Sequence, residues 1–155
     1  AFGSRGIAGH VGHVHHHFAP DMVCSCGRLG HIESFCSGSG ITAWYNSLRP
    51  QDKPEVDGGR ALQELADSGD PLAQACFARS AYALGEATAS LVNCMDPAVV
   101  IISGSMTRSG DIWWDGLKEG FSASAMTPVA TTPILVGSLG GNAPLLGAVS
   151  FFLNA

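Results

Sequence analysis

Between His10 and His31 the chain carries eight side chains able to ligate a metal: His10, His13, His15, His16, His17, Cys24, Cys26 and His31. The same stretch is rich in glycine and poor in apolar residues, so burial alone cannot repay the entropy of ordering it. A crosslink is needed. Cys24 and Cys26 lie two residues apart across a turn, so both sulfurs reach one ion. Gly27 and Gly30 let the chain fold back and bring His31 to the same point. His13, on the preceding extended segment, supplies a fourth donor. Two thiolates and two imidazoles in a tetrahedron make a closed zinc site with no position for substrate, which is a structural role. The alternative is a set of surface histidines with two free thiols. His15, His16 and His17 read as polar strand or loop rather than as ligands. Five cysteines, an odd number, do not make a disulfide framework and fit a reducing cytoplasm.

The rest of the chain alternates helical and strand-like patterns. Residues 11–18 alternate loosely enough for a strand, and Glu33 to Ser37 can open a helix. Residues 40–48 read as a helix that Arg49-Pro50 ends. Residues 59–68 carry Leu62, Leu65 and Ala66 at helical spacing before Gly69. Asp70-Pro71 is an N-cap followed by proline at the first helical position. It opens the longest helix, to about Asn93, with Leu72, Cys76, Leu84, Ala87 and Leu91 as a buried stripe. Residues 98–102 and 132–136 are short apolar runs of the buried parallel-strand type. Between them, residues 111–125 place Trp113, Leu117 and Phe121 on one helix face. A last helix runs over residues 142–153. This order gives an α/β fold with a parallel sheet portion. Ligands in such folds bind at the carboxyl ends of strands, where Ser103-Gly104-Ser105 falls.

At 155 residues the chain fits one domain, and 46% hydrophobic with 14% charged residues excludes disorder. A net charge of −5 argues against nucleic acid as a partner of this segment. No apolar run reaches the roughly 18 residues that span a bilayer. The chain starts Ala1-Phe2-Gly3 without Met and reads as a fragment.

Two motifs carry a resemblance. Gly9-His10-Val11-Gly12-His13, followed by Cys24-Ser25-Cys26-Gly27-Arg28-Leu29-Gly30-His31-Ile32-Glu33, resembles the ROK family of repressors and sugar kinases. That family's pattern is G-E-x-G-H, then C-x-C-G-x-x-G-C-x-E. Asn93-Cys94-Met95-Asp96-Pro97 resembles its N-x-x-D-P strand entry, and Gly137 to Gly147 its closing helix start. The resemblance covers nearly the whole chain. It implies the C-terminal domain of the actin-like ATPase (ribonuclease H-like) fold, with a mixed sheet, packed helices and an inserted zinc loop at residues 10–35. Residues 1–155 would be the C-terminal lobe of a two-domain protein whose N-terminal lobe lies outside this chain.

By that resemblance the zinc ligands fall on His13, Cys24, Cys26 and His31. Glu33, His13 and His10 would bind the sugar, and Gly104 would approach the nucleotide. The chain departs from the family twice. His31 replaces a cysteine, which zinc tolerates. His10 replaces a glutamate, and an imidazole is not an anionic acceptor, although it can still bond a hydroxyl. The implied activity is transfer of the γ-phosphoryl of ATP, with Mg²⁺, to a hexose or N-acetylhexosamine. The carboxylate base belongs to the N-terminal lobe, so no catalytic residue is assigned here and this half alone should be inactive. Asp96 reads as a turn or cap, and Asp111 and Glu119 as helix surface. The competing reading is a sugar-sensing transcriptional regulator, distinguished by a helix-turn-helix of about 70 further residues upstream. Nucleic acid would be a partner only through such a segment. The paired aromatics Trp44-Tyr45 and Trp113-Trp114 suggest a homodimer.

Overall fold

The computed structural model describes residues 3–153. The helices are α1 (Glu33–Cys36), α2 (Gly38–Leu48), α3 (Gly58–Asp67), α4 (Pro71–Met95), α5 (Asp111–Ser124) and α6 (Ala143–Leu153). The strands β1 (Val100–Ile102) and β2 (Ile134–Val136) pair in parallel, Val100 opposite Ile134 and Ile102 opposite Val136. Short 3₁₀ turns occupy Val11–His13, Ser105–Arg108, Thr127–Val129 and Gly140–Asn142.

The longest helix, α4, is the hub. Its start follows from sequence: the Asp70 carboxylate accepts from the backbone N–H of Leu72 and Ala73 at 3.1 and 2.9 Å, and Pro71 needs no donor. On one side it meets α2, α3 and α5 around Ile41, Tyr45, Leu62, Phe77, Trp113 and Leu117. Further along, Ala83 packs with Ala19, Ile32, Phe35 and Cys36, which anchors the end of the metal-ligand loop to the helix. Near its end, Ala89 and Val92 join Phe121, Val129 and the inward residues of the sheet, Val100 and Ile134.

Four expectations change. The strand at residues 11–18 is instead a 3₁₀ turn followed by a single antiparallel bridge, His15 to His31. Val11 and Val14 are both exposed, so the segment has no apolar face for a ladder to bury. The buried stripe of α4 falls on Ala73, Cys76, Phe77, Ala81, Ala83 and Ala89, whereas Leu72, Leu84, Ala87 and Leu91 are half-buried. Neighbouring helices press closest on the small side chains. The sheet, expected to be mixed, is a two-stranded parallel pair among the described residues. Its strands, expected to be buried, are covered on one face only: Ile101, Leu135 and Val136 are exposed.

Trp44 packs against Phe35 with ring centroids 4.6 Å apart and the planes tilted by 44°. Trp114 donates its indole N–H to the Thr107 carbonyl at 3.0 Å, and Tyr45 and Trp113 are fully buried. Within the chain these aromatics therefore pack on one another and on the core.

Candidate metal centre and ligand grooves

The loop after the His15–His31 bridge closes on itself through backbone bonds. Cys24 N–H donates to the Arg28 carbonyl and Gly27 N–H to the Cys24 carbonyl, both at 2.8 Å. Gly30 has φ +84°, and a Cβ there would collide with the His15 ring, so only glycine fits. The turn brings Cys24, Cys26 and His31 together with His13. Their four ligand atoms lie within 4.8 Å of one another. His13 Nδ1 is 3.3 Å from Cys24 Sγ, and His31 Nδ1 is 3.2 Å from Cys26 Sγ. A tetrahedral Zn²⁺ demands sulfur-to-nitrogen edges of about 3.5 Å, so the donor set and spacing fit a closed centre. Both histidines approach through Nδ1. The Nε2 atom of His13 is therefore left for another partner.

Glu33, the first residue of α1, faces this cluster. Its Oε2 accepts from the Cys24 thiol at 2.8 Å and from the Ser25 hydroxyl and backbone N–H at 2.8 and 3.3 Å. Its Oε1 takes only the Ser25 hydroxyl, at 2.9 Å, which leaves acceptor capacity. Hydrogen bonds from Cys24 first, then Ser25, hold the Glu33 carboxyl below the usual carboxylate range. Burial first, then the bond to Glu33, raises the Cys24 thiol. Gly12 lies against Glu33, since a Cβ there would stand 3.6 Å from Glu33 Cβ. The His10–His13 turn thus packs against the base of the Glu33 side chain. His10 stacks on His13 with centroids 6.0 Å apart, and its Nδ1 donates to the Ile7 carbonyl at 2.7 Å. That bond puts the proton on Nδ1 and leaves Nε2 an acceptor.

Two grooves flank α2. One, of about 490 Å³, is lined by Ser25, Glu33, Ser37, Ser39 and Trp44. His10 and His13 do not line it. The other, of about 580 Å³, is lined by Ser39, Gly59, Arg60, Ser105, Met106 and Arg108 among others. Ser39 borders both, so the grooves meet at the first turn of α2. Gly104 has φ +116° and directly precedes Ser105. Ser25, the principal partner of Glu33, was not singled out by the sequence, although its place between the two cysteines marks it. Arg60 and Arg108 carried no sequence signal at all. Asp96 caps α4 in a left-handed conformation, and Asp111 and Glu119 are exposed, as expected of turn and surface residues.

The ROK family model matches residues 1–155, and the chain belongs to the ROK family. It is 28% identical to a glucokinase of Halalkalibacterium halodurans over 94% of this chain and 47% of that protein. It is 33% identical to an N-acetylmannosamine kinase of Shigella boydii (94% and 47%) and 28% identical to a xylose repressor of Caldicellulosiruptor bescii (98% and 40%). Among solved structures it resembles the ROK hexokinase of Thermus thermophilus, with TM-score 0.79, 30% identity and coverage of 96% and 48%. It also resembles a ROK glucokinase of Streptomyces griseus in complex with glucose and AMPPNP, with TM-score 0.76, 26% identity and coverage of 94% and 51%. The chain spans about half the length of these relatives, or less.

Proposed function

We propose that this chain is the C-terminal lobe of a ROK sugar kinase that transfers the γ-phosphoryl group of ATP to a hexose or N-acetylhexosamine. The observation that carries the reading is Glu33, a carboxylate held by Ser25 and Cys24 at the edge of a groove with Oε1 open. A carboxylate accepting hydroxyl protons gives charge-assisted recognition of a polyol. His13 and His10 would add imidazole nitrogens to the hydroxyl-binding groups, with His10 standing where the family has a glutamate. The groove lined by Arg60 and Arg108, next to Gly104, is the nucleotide side. The relative solved in complex with glucose and AMPPNP supports a sugar and a nucleotide as the two ligands.

The residues for the metal are His13, Cys24, Cys26 and His31, and a zinc ion there would fix the loop that orients His13 and Glu33. Metal ligation requires the Cys24 thiolate, which no longer donates to Glu33. Oε2 then becomes available to a sugar hydroxyl. The base for the acceptor hydroxyl and the site for Mg²⁺ belong to the N-terminal lobe of the whole protein, so this lobe alone does not turn over. A homodimer in the cytoplasm completes the proposal.

The test uses the whole protein. Glu33→Gln keeps shape and removes charge, and should raise the KM for sugar at least tenfold with the KM for ATP unchanged. An unchanged sugar KM would refute the assignment. The second reading, a sugar-sensing regulator, is favoured by the similarity to a xylose repressor. It predicts sugar binding that depends on Glu33 without ATP turnover.

A further inference from the structure

A second constellation of metal-binding side chains lies on the far side of the same loop and uses none of the four residues above. His16 is buried, 8% exposed, and its neighbour His17 is 66% exposed. Both imidazoles face Glu86 in the middle of α4. The Glu86 Oε2 atom lies 3.7 Å from His16 Nε2 and 3.6 Å from His17 Nε2. Those separations are too long for hydrogen bonds. Oε2 is nevertheless shielded from solvent and receives no hydrogen bond from the described residues. A buried carboxylate oxygen without a donor is costly, and such an atom calls for a partner. One ligand atom from each of the three residues lies within 4.8 Å of the others.

We infer that His16, His17 and Glu86 form a second divalent-metal site, of open two-histidine, one-carboxylate type. Imidazole and carboxylate donors at about 2.0–2.2 Å from a tetrahedral ion are about 3.4 Å apart, so the two imidazole-to-carboxylate edges of 3.7 and 3.6 Å need to shorten by a few tenths of an ångström. The donor set without sulfur selects borderline ions such as Zn²⁺ or Co²⁺. Three protein ligands leave the fourth position to water, which makes this ion more exchangeable than one held in the closed thiol site. Binding through Nε2 puts the ring proton on Nδ1, and the contact given up is the long one, 3.4 Å, from Phe18 N–H. The rings are already ordered: His16 stacks on His17 at 4.6 Å and on Phe18 at 5.7 Å. An ion here would tie the start of the metal-ligand loop to α4, opposite the closed centre.

The experiment is metal stoichiometry on the whole protein, stripped of metal and then dialysed to equilibrium against Zn²⁺ across the micromolar range. Wild type should hold two ions per chain, the second more weakly. Glu86→Gln and His17→Ala should each lose the weaker ion, or weaken it at least tenfold, and keep the tighter one. His17 is exposed, so its removal leaves the fold intact, and an unchanged circular dichroism spectrum checks this for both. With Co²⁺ the second equivalent should add visible ligand-field bands without the near-ultraviolet thiolate charge-transfer band of the first. A single ion per chain in wild type overturns the site. So does a second ion that persists unchanged in both variants, or one that brings a thiolate band.

Discussion

The five cysteines occupy different environments. Burial pushes the Cys36 thiol up to about 12 and the Cys76 thiol to about 11, and Cys36 donates to the Ser80 carbonyl at 3.0 Å. Both stay protonated at neutral pH and act as core residues. Cys24 and Cys26 differ from them because each sits beside an imidazole nitrogen. Asp70 shows how a single charge holds an element in place. Its carboxyl is depressed, first by the backbone N–H of Ala73 and then, against some burial, by Lys53. A depressed acid stabilises the fold above its unfolded value, about 3.9, and that contribution disappears as pH falls through the lower folded value. Asp70→Ala should therefore cost about 1 kcal/mol at pH 7. The difference from wild type should shrink towards pH 3, as urea unfolding at the two pH values would measure. An equal difference at both would mean the cap acts without its charge. At this scale the sequence was informative where chemistry is local. Cys24, Cys26 and His31 fall within eight residues, and their convergence could be read from two glycines, whereas Glu33 was marked only by the family resemblance. The Glu86 carboxylate could not be matched to His16 and His17, because only tertiary packing brings α4 to the loop.

The crossing of α4 and α5 is set by glycine. A Cβ at Gly120 would collide with the Tyr82 carbonyl, one at Gly85 with that of Leu117, and one at Gly116 would stand 2.5 Å from that of Ala78. The two backbones touch, and Asn93 ties the far end by donating to the Ser124 carbonyl at 3.1 Å and accepting from Met126 N–H at 2.9 Å. On an isolated helix Gly120→Ala gains about 1 kcal/mol in propensity. Here the new methyl meets backbone that cannot rotate away, and overpacking costs about 1–3 kcal/mol. The substitution should be net destabilising, seen as a lower midpoint of thermal unfolding; a higher midpoint would show that the helices slide apart freely. The same close approach explains why the stripe of α4 was misplaced. Periodicity marks large apolar residues, but a helix touched at backbone distance buries its alanines and leaves leucines at the seam's edge. The face of α5 was legible because Trp113, Leu117 and Phe121 meet a core on one side only.

Over the whole molecule the apolar surface is unevenly covered. One face of the β1–β2 pair packs on α4 and α5, whereas Ile101 and Leu135 are 64% and 53% exposed. On α6, Leu145, Val149, Phe152 and Leu153 are each more than half exposed. Water-facing apolar area of this extent marks an interface. The two strand runs looked fully buried in the sequence because their composition records the covering they need, not the covering this chain supplies. The chain covers 47% of its glucokinase and N-acetylmannosamine kinase relatives, and under the two-lobe proposal the occupant is the other lobe. No helix among the described residues is long and apolar enough to cross a membrane. The chain produced alone should therefore bind a hydrophobic dye and form assemblies larger than a dimer as concentration rises, and the whole protein should do neither. Ile101→Thr with Leu135→Thr should restore solubility to the isolated lobe yet weaken lobe packing in the whole protein, read as a lowered midpoint of unfolding. If the isolated lobe stays monomeric and dye-free, its bare sheet face is ordinary surface and the two-lobe arrangement fails.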